Sequence, residues 1–275
     1  MRIVNIQKNG RPTLAVRTKG GVVEVGGELK ALLEGGALGE LKGMAEKGKV
    51  EDEKGLTFLP PVHNPNKVLC LGLNYRDHAI ETKQPIPTYP VVFTRAQTTL
   101  VGHGQPMVVP KVSEQFDFEA ELAVVIGKRG RNIAKGDALK HVAGYSCFND
   151  GSIRDYQFKS SQFTMGKNFD GTGGFGPELV TPDELPEGAN GLAITCTLNG
   201  QVMQNSKTDQ HIFDVPTAIS MLSEVMTLTP GDVIIMGTPS GVGAARTPKL
   251  WMKAGDVCTI EIEGIGKLTN PIVGA

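Results

Sequence analysis

No C-x-x-C pair occurs among the four cysteines (Cys70, Cys147, Cys196 and Cys258), which lie far apart in the chain. Zinc-ribbon and thioredoxin-type sites are thereby excluded. Most of these cysteines sit among apolar neighbours, the setting of reduced, buried and inert thiols. Nor is there an excess of charge of either sign. Lys and Arg total 28 against 29 Asp and Glu, for a net charge of −1, and no dense basic run occurs. That argues against a nucleic-acid partner. No apolar stretch approaches the roughly 18 residues of a membrane helix. The opening MRIVNIQKNG has no apolar segment of the secretory type. These absences together lead to the expectation of a cytoplasmic protein without a membrane partner. Helical periodicity is also scarce, which excludes a helical bundle.

What is abundant is turn chemistry: 35 glycines and 17 prolines among 40% hydrophobic and 21% charged residues. Many short strands are expected from that mixture. Residues 1–26 alternate in short runs broken at Asn9-Gly10 and Gly20-Gly21, a pattern of small hairpins. Residues 28–47 read as helix interrupted by Gly35-Gly36. Pro60-Pro61 and Asn64-Pro65 form a stiff connection, so a boundary is expected there. The expected division is a small N-terminal domain, 1–65, and a larger domain, 66–275. In the latter, strands are expected near 67–73, 91–94, 106–109, 119–126, 142–147, 192–198, 232–236 and 257–263. Helices are expected near 74–82, 137–141, 150–158 and 213–226. The fold class is therefore α+β, mostly β, with a few helices packed on the sheets.

Several stretches carry chemistry. DFEAELAVVIGK (117–128) spaces Asp117, Glu119 and Glu121 at every second position before an apolar run. On a strand these side chains share a face. Like charges so placed repel, which leaves two readings: a solvated strand edge or a bound divalent cation. In GYSCFNDGSIRDYQ (144–157), Asn149 and Asp150 suit a helix N-cap, with Arg154 and Gln157 following on one helix face. Arg154 is equally suited to a surface pair with Asp155 or Asp150. GLNYRDHAIE (72–81) places His78 and Glu81 at i, i+3, where a carboxylate orients an imidazole base. Lys167 in MGKNFDG has a surface charge as its plain alternative. PGDVIIMGTPSGVG (230–243) lacks the lysine of a phosphate loop. It reads as a strand entering a glycine-rich loop, with backbone and the Thr238 hydroxyl approaching a small ligand.

Taken together, GLNYRDHAIE, DFEAELAVVIGK, GYSCFNDGSIRDYQ, MGKNFD, LNGQVMQ, TLTPGDVIIMGTPSGVG and GDVCTIEIEGIGKLTN resemble the fumarylacetoacetate hydrolase family, in the family's order across most of 67–273. The resemblance implies a mixed β-roll or sandwich preceded by a small N-terminal domain, and usually a homodimer. It implies that Glu119, Glu121 and Asp150 hold a divalent cation, Mg²⁺ with Mn²⁺ or Ca²⁺ as alternatives, while Asp117 supports them from behind or pairs at the surface. It implies a 2-oxo acid substrate and hydrolysis of a C–C bond in an acylpyruvate-type 2,4-dioxo acid. His78 with Glu81 would then be the base, Gln157 and Lys167 the oxyanion donors, and Arg154 and Thr238 substrate contacts. An isomerase, decarboxylase or hydratase acting on a 2-oxo (di)carboxylic acid is the alternative within the family. Residues 74–90 are expected to act as a lid.

This sequence departs from the family pattern in SSQFTMGK, which lacks an aromatic Trp frequent in members, and in GTGGFGP (171–177). A third departure is Arg95 in VVFTRAQ, where Lys is frequent; these positions are expected to border the substrate.

Overall fold

The structure is a computed structural model that describes residues 1–275. Its spine is a 12-stranded mixed sheet. From one edge its strands run Val50–Glu51, Gly21–Glu24, Arg11–Thr18, Arg2–Lys8, Gly173–Val180, Val142–Asp150, Ala120–Ile126, Val233–Ile235, Val68–Gly72 and Val91–Thr94. Two short strands, Thr57–Leu59 and Leu100–Val101, attach off this path. A five-stranded sheet lies in the order Gln201–Lys207, Ala193–Leu198, Val257–Ile262, Gly266–Gly274 and Met107–Val109. The mostly β, α+β architecture expected from the sequence is the one observed.

The unbroken apolar run Leu122–Ile126 has a physical cause. Leu122, Val124 and Ile126 enter one core with Ile194, Cys196, Ile260 and Leu268 of the smaller sheet. Ala123 and Val125 enter a second core with Leu29, Leu33 and Leu41, on the helices Leu29–Glu34 and Glu40–Lys47. A strand covered on both faces needs no polar alternation. The four cysteines are free and buried.

The N-terminal hairpins form as expected, with turns at Asn9-Gly10 and before Gly21. They run directly into the main sheet, Arg2 opposite Val180 and Ile3 opposite Leu179. One helix is shorter than its sequence suggests. Asp150 closes the strand Val142–Asp150, and the helix begins only at Arg154 and ends at Gln157. The N-cap role of Asn149 and Asp150 is therefore corrected. Ladder pairing with Gly173 and Gly174 keeps both residues extended.

Candidate active site

Strand register assembles the acidic cluster. In the pairing of Ala120–Ile126 with Val142–Asp150, Ala120 faces Asn149 and Glu121 faces Phe148. The Asp150 N–H then donates to the Glu119 carbonyl at 3.0 Å. Residues distant in sequence thus meet at the sheet's end. Glu119 and Glu121 keep the parity of Ala123 and Val125 and leave the sheet on that face. Ligand oxygens of Glu119, Glu121 and Asp150 all lie within 4.8 Å of one another. All three residues are buried, which removes the solvated-edge reading. Hydrogen bonds hold the frame. Asn149 Oδ1 accepts from the Glu119 N–H at 3.1 Å, and Glu121 Oε2 accepts from the Gly237 N–H at 2.5 Å. Gly237 has φ +90°, and a Cβ there would lie 2.7 Å from that of Asn74, so only glycine brings this amide so close.

Cations surround the triad. Lys167 Nζ donates to Glu119 Oε2 and Asp150 Oδ2, each at 2.6 Å. Lys167 is almost fully buried, so its reading as a surface charge fails. It ends the helix Thr164–Lys167, which packs on Arg154–Gln157 so tightly that a Cβ at Gly166 would lie 2.4 Å from the Gln157 nitrogen. Arg154 Nη2 donates to Glu119 Oε1 at 2.6 Å, Nε to Asp117 Oδ2 at 2.8 Å, and Nη1 to Gln157 Oε1 at 2.8 Å. Surface pairing of Arg154 with Asp155 is therefore not what forms. Arg95 Nη1 donates to Asp150 Oδ1 at 2.5 Å, and Nη2 to Thr172 Oγ1 at 2.8 Å.

These fields divide the carboxylates. Burial works to raise the Glu119 pKa, but Lys167 and Arg154 outweigh it and hold the group well below the usual carboxylate range. Burial, reinforced by Asp150 and Glu119, pushes Glu121 well above that range. Burial lowers the Lys167 pKa, but Asp150 and Glu119 outweigh it and keep the amine protonated. The donor set fits a hard divalent cation: three buried carboxylates converge, and the least compensated of them, Glu121, has Gly237 as its single hydrogen-bond donor.

The triad opens into a cavity of about 560 Å³. His78 and Glu81 line it from the helix Arg76–Glu81, with His78 Nδ1 3.2 Å from Glu81 Oε2. This segment is seated on the glycine-rich loop. Glu81 Oε1 accepts from the Gly241 N–H at 2.9 Å, and Asp77 Oδ2 accepts from the Ser240 hydroxyl at 2.9 Å. Thr238 also lines the cavity, its hydroxyl accepting from Gln204 Nε2 at 2.8 Å. Arg154, Gln157 and Lys167 complete the set, so all nine residues given a ligand, base, oxyanion or substrate-contact role by the resemblance border one space. A separate cavity of about 420 Å³, beside His211 and Asp214, contains none of them.

Two residues act where sequence reasoning did not put them, Arg95 and Lys249, and Asp117 takes one of its two expected places. Arg95 does not border the cavity; it is buried behind Asp150. Asp117 takes the first of its two expected places, behind the ligands and not at the surface, because Arg154 bridges it to Glu119. It is fully buried and accepts from Arg154 and from the Gly243 and Ala244 N–H groups, at 2.7 and 2.9 Å. Lys249, which no motif singled out, lines the cavity and is exposed. The period-two spacing with Glu119 was the signal for Asp117; nothing local signalled the others.

Residues 67–273 match the family described as fumarylacetoacetate (FAA) hydrolase C-terminal. The "Oxaloacetate tautomerase fahd2, mitochondrial" of Xenopus laevis is 44% identical over 220 residues, 79% of this chain and 69% of the relative. A fumarylacetoacetate hydrolase from Exiguobacterium antarcticum superposes with TM-score 0.87 at 33% identity, over all of both chains. Maleylpyruvate hydrolase from Sphingobium sp. SYK-6, solved with manganese(II) and pyruvate, gives TM-score 0.85 at 25% identity, again over all of both. The expected cytoplasmic location is corrected by these relatives: the frog protein and its bovine and human counterparts are named as mitochondrial. Buried free thiols fit any reducing compartment and could not have distinguished the two.

Proposed function

This chain belongs to the fumarylacetoacetate hydrolase family, and from that premise we propose that it is a divalent-metal enzyme that shifts a proton on the carbon beside the 2-oxo group of a 2-oxo acid. The observation that carries the reading is a single cavity with Glu119, Glu121 and Asp150 on one wall and the His78–Glu81 pair on another. The tautomerase name of the Xenopus laevis relative supports the same chemistry.

Glu119, Glu121 and Asp150 hold the cation, Mg²⁺ or Mn²⁺. The chemistry such a cation supplies when bound is Lewis-acid polarisation of the substrate's 2-oxo and carboxylate oxygens. Glu81 fixes the His78 ring through Nδ1, leaving Nε2 to take the proton from C3. Negative charge then develops on the 2-oxo oxygen, opposed by the Lys167 ammonium, and this oxygen takes a proton from solvent to complete the enol. Thr238 and the backbone N–H groups after it orient the carboxylate. Arg154 keeps Glu119 and Gln157 in position. Return of the proton from His78 to C3 is the reverse reaction, so one set of groups serves both directions. Residues 66–275 supply every group, and residues 1–65 contribute none to the cavity. A homodimer is part of the proposal, testable by sedimentation.

A second reading, hydrolysis of an acylpyruvate C–C bond, has one observation in its favour. Gln157 Oε1 is held by Arg154, which leaves its amide N–H groups without a protein partner and free to stabilise an oxyanion further along the substrate. The two readings are separated by incubating Mg²⁺-loaded protein with enolic oxaloacetate and, separately, with acetylpyruvate. Accelerated loss of enol absorbance, abolished by EDTA, is expected. Cleavage of acetylpyruvate without any enol acceleration would replace the tautomerase by the hydrolase.

A further inference from the structure

We propose that Lys249 reads a second carboxylate at the far end of the substrate, so that the cavity selects dicarboxylic 2-oxo acids. The inference rests on the 2-oxo acid reading above and adds the group that distinguishes a diacid from a monoacid. Three cations line the cavity: Arg154, Lys167 and Lys249. Arg154 is committed to Asp117 and Glu119, and Lys167 to Glu119 and Asp150. Lys249 alone carries no ion pair, although it shares the space with four carboxylates. Glu81, the one cavity carboxylate outside the triad, already has both oxygens engaged, one by His78 and one by the Gly241 N–H. An exposed ammonium without an internal counter-ion, lining the cavity whose buried triad receives the 2-oxo acid, is placed for an external anion.

The backbone that carries Lys249 is held. Asp117 binds the Gly243 and Ala244 N–H groups, and the Leu250 N–H returns to the Gly243 carbonyl at 3.1 Å. Arg246 ties the same arch to the Gly241 carbonyl at 3.0 Å and the Met203 carbonyl at 2.6 Å. Lys249 therefore projects from a fixed base, although its side chain reaches solvent. Gln84, exposed like Lys249, lines the same cavity and offers a neutral amide without a protein partner. The cavity volume of about 560 Å³ leaves room beyond the triad for the remainder of a four- or five-carbon diacid.

The test compares oxaloacetate with its 4-methyl ester, which keeps the 2-oxo acid end and lacks the distal charge. The ratio of kcat/KM for diacid over ester is measured in wild type, Lys249→Met and Lys249→Arg. A fall of about tenfold in that ratio for Lys249→Met, carried by KM and largely restored in Lys249→Arg, is expected from one charge-assisted hydrogen bond. An unchanged ratio makes Lys249 a solvated surface lysine and overturns the proposal. Calorimetric binding of 3,3-difluorooxaloacetate and its 4-ester to the Mn²⁺-loaded protein gives the same comparison without turnover. Selective loss of diacid affinity in Lys249→Met without any tautomerase activity in wild type would keep Lys249's role and remove the proposed reaction. Tautomerase activity with equal ratios would do the reverse. No diacid binding by wild type would remove both.

Discussion

Replacing Asp117 by Asn tests whether the cavity is held together from behind. Asp117 is fully buried and joins two separate segments, accepting from the Arg154 guanidinium at 2.8 Å and from the adjacent Gly243 and Ala244 N–H groups at 2.7 and 2.9 Å. All of these are donors, and only an acceptor-only group satisfies them together. The amide of Asn, with its nitrogen in place of Oδ2, turns that acceptor into a donor facing both the Arg154 Nε and the Ala244 N–H. Removing one partner of a buried ion pair costs about 3–5 kcal/mol. The retained amide oxygen still serves Gly243, and Arg154 keeps Glu119, so the lower end, about 3 kcal/mol, is expected. At about 2–4 °C per kcal/mol for a chain approaching this size, the melting midpoint should fall by about 6–12 °C. Urea and thermal denaturation in EDTA read this without interference from bound metal. The exposed Asp137–Lys140 pair is the control, and Asp137→Asn should leave the midpoint unchanged. A loss below about 1 kcal/mol in Asp117→Asn would mean that the pair behaves like a screened surface contact, and the argument that Asp117 ties Arg154 to the glycine-rich loop would fail.

Glu121→Gln should weaken Mn²⁺ binding by at least about tenfold, since the cation loses a charged ligand. Its metal-free stability should hold or rise because the carboxylate repulsion is gone, and a variant still stabilised by Mn²⁺ like wild type would exclude Glu121 as a ligand. His78→Ala should lower tautomerisation by about 10²–10⁴-fold while calorimetry shows Mn²⁺ still bound; near-wild-type turnover would remove His78 as the base. Burial lowers the His211 pKa to about 4 from 6.5, and its Nε2 is sealed without a partner against Tyr75. The folded state therefore favours the neutral ring. Stability should be full above about pH 6.5 and decline as pH falls toward 4, by up to about 3 kcal/mol. His211→Gln should flatten that decline in urea titrations, and an unchanged slope would assign the acid sensitivity elsewhere.

The fold was legible where burial followed chain-local periodicity. The strands Val68–Gly72, Ala120–Ile126 and Val257–Ile262 fall within a residue or two of their expected places. The strand Gly173–Val180 escaped because GGFGPELV has glycines and a proline instead of β-branched residues. The glycines lie where other segments of the chain come close: a Cβ at Gly174 would sit 2.7 Å from Asn270 Oδ1. That requirement comes from strands distant in sequence and leaves no local trace. The short helix Arg154–Gln157 was overextended for a related reason, since ladder pairing won over the capping preference of Asn149 and Asp150.

The same distinction governs the site. Period two placed Glu119 and Glu121 on one face, and i, i+3 spacing placed Glu81 beside His78, because both relations lie within one element. The cations that make the buried carboxylates tolerable follow a different logic. Arg95 reaches Asp150 because Val91–Thr94 pairs with Val68–Gly72 at the sheet edge, and because Thr99 and Thr172 hold the guanidinium in place. Lys167 reaches Glu119 only because Gly166 lets two four-residue helices touch. A carboxylate in a sequence announces a charge, but its counter-ion is chosen by sheet order and close packing. That is why Arg95 was read from its string as a substrate neighbour although its guanidinium is spent on Asp150. It is also why Lys249, paired with nothing inside the protein, became visible only after every other charge in the cavity had been matched.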